Sequence, residues 1–231
     1  MIENPHAHLS PAPAVWLRSP IGLGWAAVAG LGAVIATDLF AIYADFVMYD
    51  VTGDLMGDGF GAVLTERADR ADRLYAVAGT VQTVALIATV VLYLCWFHRV
   101  RVNAQVFDPS GHSMKGHWAV WGWFVPVVNL WFPRRITLEI WDTSSPWGAP
   151  RPHGLVNTWW TFWIIALVSG RLAQSAGRRA DTAETLHMAA GQTLFADVVD
   201  IVAAALAIAV VLRLTRMQNE KALGGPAPVA V

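Results

Sequence analysis

From Leu74 to Phe97 the chain reads "LYAVAGTVQTVALIATVVLYLCWF", with no charged residue anywhere in it. A helix of about twenty apolar residues crosses the hydrocarbon core of a bilayer, whereas a water-facing helix keeps one polar side. Three other runs have the same character. They are Ile21 to Val47, Leu155 to Gly170 and Gln192 to Leu212. The third of the four, "LVNTWWTFWIIALVSG", is short and borrows flanking residues to reach across. Strands are excluded, because an open strand in lipid leaves its amides without partners. The fold class expected is an all-α integral membrane protein with four transmembrane helices over 21–47, 74–97, 155–170 and 192–212.

Composition agrees with that reading. Hydrophobic residues make up 55% of the chain, charged ones 14%, and there are twelve tryptophans; soluble domains rarely combine these values. A net charge of −1 removes the electrostatic case for nucleic acid as a partner. The lone cysteine, Cys95, sits in an apolar run, so no disulfide within the chain is possible and packing is its simplest role. Residues 1–20 lack the basic start of a cleavable signal peptide and carry several prolines, which reads as a flexible tail. Residues 218–231, ending "KALGGPAPVAV", read the same way, leaving one membrane domain over 21–217 with no solenoid-type repeat.

Between the second and third runs lies "WAVWGWFVPVVNLWFPRRITLEIW", Trp118 to Trp141. Its apolar part is too short to span. Pro126 and Pro133 break it, and its tryptophans suit the headgroup level. The expectation is a short Trp/Pro-rich re-entrant or interfacial helix, followed after Pro133 by an amphipathic helix along the surface. With that piece not crossing, one side of the membrane collects Arg18, Arg99, Arg101, Lys115, Arg134, Arg135, Arg151, Arg213, Arg216 and Lys221. The other holds only Arg67, Arg70, Arg73, Arg171, Arg178 and Arg179, beside the acids of a long first loop. The basic excess places both termini in the cytoplasm of a multi-pass cell-membrane protein.

The segments "WFHRVRVNAQ", "WAVWGWFVPVVNLWFPRRITLEIW" and "NTWWTFWIIALVSGRL", with the closing "RLTRMQ", occur in order. In this they resemble an actinobacterial membrane family known as DUF4328, a domain of unknown function, from about Leu74 to Gln218. The resemblance implies Trp96, Arg99, Asn103, Trp123, Pro126, Asn129, Pro133, Glu139, Trp141 and Arg171 as signature positions. It implies fold and location, and brings no activity with it.

Two polar groups stand out. Asp38 and Asp45 are seven apart and share a helix face, as do Asp197 and Asp200, three apart. The topology sets all four in the outer half, with Arg171 ending the third span at that level and Arg73 preceding the second. One reading makes them end-of-helix charges reaching water or each other. The other makes them a cation or proton site, with Asp38 and Asp200 the metal candidates. The second group is cytoplasmic: Arg99, Asn103, Asn129, Glu139, Trp123 and Trp141. Structurally, Arg99 pairs with Glu139 and the asparagines satisfy carbonyls freed by the prolines. Functionally, Arg99, Arg134 and Arg135 hold an anion or lipid headgroup between Trp walls.

His98, His112 and His117 read as solvated loop residues. Ala26, Gly30 and Val34 read as a small-residue contact between helices. No Walker loop, nucleophile elbow, HExxH or paired CxxC occurs. The expected function is therefore a non-enzymatic scaffold or accessory protein with no cofactor. Its partners are the lipid bilayer and either another membrane protein or a second copy of itself. A membrane-embedded enzyme for an amphipathic or prenyl-type substrate, with an Asp/Mg²⁺ and Arg site, is the alternative. An ion-coupled transporter is the third, requiring an oligomer because four spans carry no inverted repeat.

Overall fold

A computed structural model describes residues 17–57, 61–146 and 152–224. All regular structure in those residues is helical: α1 (Ile21–Gly57), α2 (Ala62–Phe107), α3 (Trp118–Trp121), α4 (Phe132–Ser144), α5 (Gly154–Gly177) and α6 (Ala183–Leu223). Three of them, α1, α2 and α6, are long and apolar enough to cross a membrane. At 1.5 Å per residue they reach roughly 55–70 Å, about twice the hydrocarbon thickness. The fourth long helix, α5, has 24 residues, with Asn157, Thr158, Thr161 and three tryptophans in its first half.

The apolar runs are thus parts of longer helices: 74–97 and 192–212 are the middles of α2 and α6, while 21–47 and 155–170 lie at the starts of α1 and α5. The expected first loop is mostly helical: α1 continues to Gly57 and α2 begins at Ala62. Arg67 on α2 bonds Asp54 (2.7 Å) and Asp50 (3.0 Å) on α1, and these cross-helix pairs let charged sequence stay helical. The expected flexible tail from 218 also needs correction. α6 runs on to Leu223, with Gln218 and Lys221 buried. At the other end Arg18 is already fastened to Asn103. Residues 1–16 and 225–231, the outer parts of both expected tails, lie outside the described residues, as do Asp58 and Arg151.

α1 is the central helix, packed between α2 and α6, while α5 lies against the far side of α6. Its buried face repeats at helical spacing through Gly24, Ala27, Gly30, Val34, Asp38, Ala41 and Asp45. The small-residue stripe is therefore an internal contact through Gly30 and Val34 as expected, with Ala27 buried beside them and Ala26 only half-buried. A Cβ at Gly24 would stand 2.8 Å from Thr215 Oγ1, and one at Gly30 3.0 Å from Thr89 Oγ1. These two glycines set how closely α1 approaches α6 and α2.

The Trp-rich segment is no single helix. After the one turn of α3 the chain reverses at Val127, whose φ of 69° is a left-handed conformation that β-branched residues rarely adopt. A 3₁₀ turn over Val128–Leu130 follows, and α4 starts with Pro133 in its first turn, where a missing N–H costs nothing. α4 is amphipathic: Ile136, Thr137, Ile140 and Trp141 are buried, while Arg135 faces out.

Candidate functional site

Trp123 bridges two helices. α2 and α5 pack little against each other directly. Trp123 fills the space between them, with ring centroids 5.5 Å from Tyr93 and 5.8 Å from Phe97 on α2. On α5 it meets Trp163 at 5.7 Å, Trp160 at 6.2 Å and Trp159 at 6.3 Å. Edge-to-face contacts of this kind suit aromatic quadrupoles. Trp160 Nε1 donates to the Leu130 carbonyl at 3.2 Å, tying the folded-back segment to α5.

Beside this wedge is a cavity of about 270 Å³, floored by α1 and α6 and walled by α2 and α5. Leu31, Thr89, Tyr93, Trp123, Trp163 and Asp200 line it. Tyr93 Oη and Trp123 Nε1 are buried there without hydrogen-bond partners. Thr89 is spent on its own helix, donating to the Ala85 carbonyl at 2.7 Å. Asp200 brings the one carboxyl group to the cavity wall.

The four aspartates do come together. Asp38 lies within side-chain hydrogen-bonding reach of Asp200, and Asp45 of Asp197, so the two pairs stand one above the other on the α1–α6 seam. Gln82 of α2 donates to Asp38 Oδ1 at 3.0 Å. Asp38 and Asp45 are 3% and 1% exposed, and one oxygen of each has no partner. The polar row continues toward the α1–α2 hairpin. Tyr75 donates to Thr193 at 3.2 Å, and Thr52 meets His187 Nδ1 at 3.2 Å. Arg171 does not join them; it is exposed on α5, and among the described residues it makes no ion pair with any of the four. Among the described residues no group of three or more His, Cys, Asp or Glu is placed to hold a metal.

The second group is arranged differently from its expectation. Arg99 does not pair with Glu139; its guanidinium reaches the Ser19 carbonyl at 3.5 Å. Glu139 instead accepts from Ser113, sits 3.5 Å from Arg135 and stands 3.9 Å from His112. Asn103 binds Arg18 through both backbone groups (2.8 and 3.1 Å) and donates to Gln218 Oε1 at 3.1 Å. It therefore satisfies the chain leading into α1 rather than carbonyls freed by the prolines. Asn129 contributes its backbone N–H, bonded to Val125. Arg134 donates to Asn157 Oδ1 at 2.8 Å, and Trp141 is buried.

Three residues of this network escaped sequence reasoning. Gln218 donates to the Val100 carbonyl at 2.8 Å and to Ser144 Oγ at 3.0 Å. Lys221 donates to the carbonyls of Thr143 and Ser145 at 2.7 and 3.0 Å, at the C-terminal end of α4 where a cation is favoured. Arg101, buried, donates to the Met114 carbonyl at 2.9 Å. A glutamine and a lysine three residues apart, about two helical turns beyond the apolar run that ends at Leu212, were the available signal. His112 also corrects its expectation: its side chain is 3% exposed. The tight turn at Gly111, close against Thr143, folds it inward. Burial, and then the Arg101 charge, hold its imidazole below the ordinary histidine value. Asp108, which receives Ser110 and Gly111, is held below the usual carboxylate range by those hydrogen bonds. His117 is exposed in the loop as expected, and His98 is exposed but lies on α2.

Residues 61–216 match the family model described as a domain of unknown function, DUF4328. The match begins with α2, so Asp38 and Asp45 on α1 lie outside it, while Asp197 and Asp200 lie inside. No curated protein and no solved structure matches the chain.

Proposed function

The chain belongs to the DUF4328 family, and from that premise we propose that it is a non-enzymatic accessory or scaffold protein of the cell membrane. It crosses four times, through α1, α2, α5 and α6, with both termini in the cytoplasm. Trp118–Phe132 dips into the inner leaflet and returns. The wide apolar exterior supports the crossings: Leu39, Phe46, Val84, Ile87, Val168 and Phe195 all point outward, as lipid-facing residues do. Trp163 and Ile164 of α5 pack into the core while Ile165 and Val168 face out, giving α5 the same two-sided exposure as its neighbours.

One observation carries the accessory reading. Three polar side chains of the motif regions are engaged with the protein itself: Asn103 with Arg18 and Gln218, Glu139 through one oxygen with Ser113, and Arg134 with Asn157. Side chains already satisfied in this way hold a shape and are not poised over a substrate. The same geometry gives the Asp/Mg²⁺/Arg enzyme little to build on, since among the described residues Arg171 makes no ion pair with the acids.

Complementation of a deletion strain tests this. Variants Asn103→Ala, Trp123→Ala, Glu139→Gln and Arg134→Gln are expected to complement in proportion to the folded protein found in the membrane. A variant of that set that folds to the wild-type level and fails to complement would overturn the reading, because its side chain would then be doing chemistry.

A further inference from the structure

We infer that the α1–α6 seam is a proton-binding site, in which Asp38 with Asp200 and Asp45 with Asp197 each hold one proton between two carboxyl groups. The inference rests on the reading that α1 and α6 cross the bilayer. It does not depend on the protein being an accessory factor.

Contact between carboxyl groups is the first reason. Each pair lies within hydrogen-bonding reach across the seam, and two bare carboxylates at that separation in an apolar setting repel strongly unless a proton or cation lies between them. The second reason is burial without partners. Asp38 and Asp45 are almost wholly enclosed, and each has an oxygen that no donor in the described residues satisfies. An ionised carboxylate left in that state is among the costliest arrangements a protein interior can contain. The third reason is the surroundings. From α2 the pairs meet Gln82 and Tyr75, and from α6 each other; among the described residues no lysine or arginine bonds either pair.

The occupant is a proton and not a metal ion. Gln82 turns its amide N–H, a donor, toward Asp38, whereas a hard cation collects six or more oxygens. A proton shared by two carboxyls needs only the two oxygens already present. Exchange has a route: Asp200 lines the cavity between α2 and α5, and Asp197 is only half-buried beside the Tyr75–Thr193 bond.

Dicyclohexylcarbodiimide adds to a protonated carboxyl in an apolar setting and spares the carboxylate, which makes it the probe. Full-length protein in lipid vesicles is treated across a pH series and its peptides are weighed. One aspartate of the Asp38–Asp200 pair is expected to carry the adduct at about pH 6, with labelling falling on the order of tenfold toward about pH 9. Neither Na⁺ nor Mg²⁺ protects it. Asp38→Asn, whose amide supplies a permanent hydrogen in place of the shared proton, is expected to keep the wild-type melting temperature and to lose the adduct at Asp200. Folded protein that takes no label at any pH overturns the proposal, as does labelling that Na⁺ or Mg²⁺ abolishes, which would make the seam a metal site. The wild-type pH series decides the matter even if the variant does not fold. Sidedness of the helices is read separately, by cysteine labelling.

Discussion

The two ends of the helix bundle are built on different principles. At the end where α2 and α6 finish, Trp96, Phe97, Ile136, Ile140, Trp159 and Leu214 are essentially inaccessible. Around them Asn103, Gln218 and Lys221 have their donors bonded to backbone and side-chain oxygens. Toward the α1–α2 hairpin the apolar core shrinks to Ala41, Ala44 and Ala78 with Phe40 and Leu74 beside them. There the seam is held by carboxyl pairs with unpartnered oxygens. The first end has the large residues and the Asn103–Gln218–Lys221 network that fix a shape, with His112 and one Glu139 oxygen left unpartnered at its margin. The second has small residues and facing carboxyl groups, the properties expected where protons come and go.

That contrast can be broken at the packed end first. Trp159→Ala should cost about 3–5 kcal/mol, as removal of a fully enclosed aromatic does. Leu172→Ala, on the outward face of α5, should stay within about 0.5 kcal/mol. Denaturant titration in mild detergent reads both. Comparable losses would mean the packed end is not the source of stability.

Asn103→Ala should remove about 2–3 kcal/mol, since it strands Gln218 and the Arg18 carbonyl at a buried junction. Arg99→Ala, which breaks only a long contact to Ser19, should be nearly silent. Gly24→Val should cost about 1–3 kcal/mol by pushing α1 away from Thr215. Gly22→Val, with nothing within 4 Å of its Cβ position, should not.

The smallest effect is a pH dependence at the packed end. His112 has a folded-state value below its unfolded one, so the unfolded chain binds the proton more readily. Its contribution is fully present above the ordinary histidine value and declines as pH drops below about 6.5. His112→Gln should flatten that part of the stability profile, measured as melting temperature between about pH 7.5 and pH 5.5.

Helix positions were largely legible in the sequence because apolar runs of bilayer length admit few structures. Their ends were not. Arg67 with Asp50 and Asp54, and Lys221 with the end of α4, extend helices through charged sequence by contacts between distant residues. Periodicity carries no trace of such pairs. The aspartates were legible as a shared face on each helix, and their pairing followed from antiparallel packing of α1 and α6. The Arg99–Glu139 pair failed for a geometric reason. Arg99 and Arg101 are two residues apart and point to different sides of α2; Arg101 and not Arg99 turns inward. The fold-back at Val127 was half visible: Pro126 and Pro133 announce a break, while a left-handed valine has no signature in sequence.

Four crossings with a Trp-rich piece that dips and returns is the claim on which sidedness stands. In a Cys95→Ala background, single cysteines at Ser110, Asp181 and Asn219 are labelled with a membrane-impermeant maleimide in intact cells and again after permeabilisation. Asp181→Cys is expected to react in intact cells, and Ser110→Cys and Asn219→Cys only once the membrane is opened. Reaction of Ser110→Cys and Asp181→Cys from the same side would mean either that α5 does not cross or that Trp118–Phe132 crosses as well, and either would contradict the account.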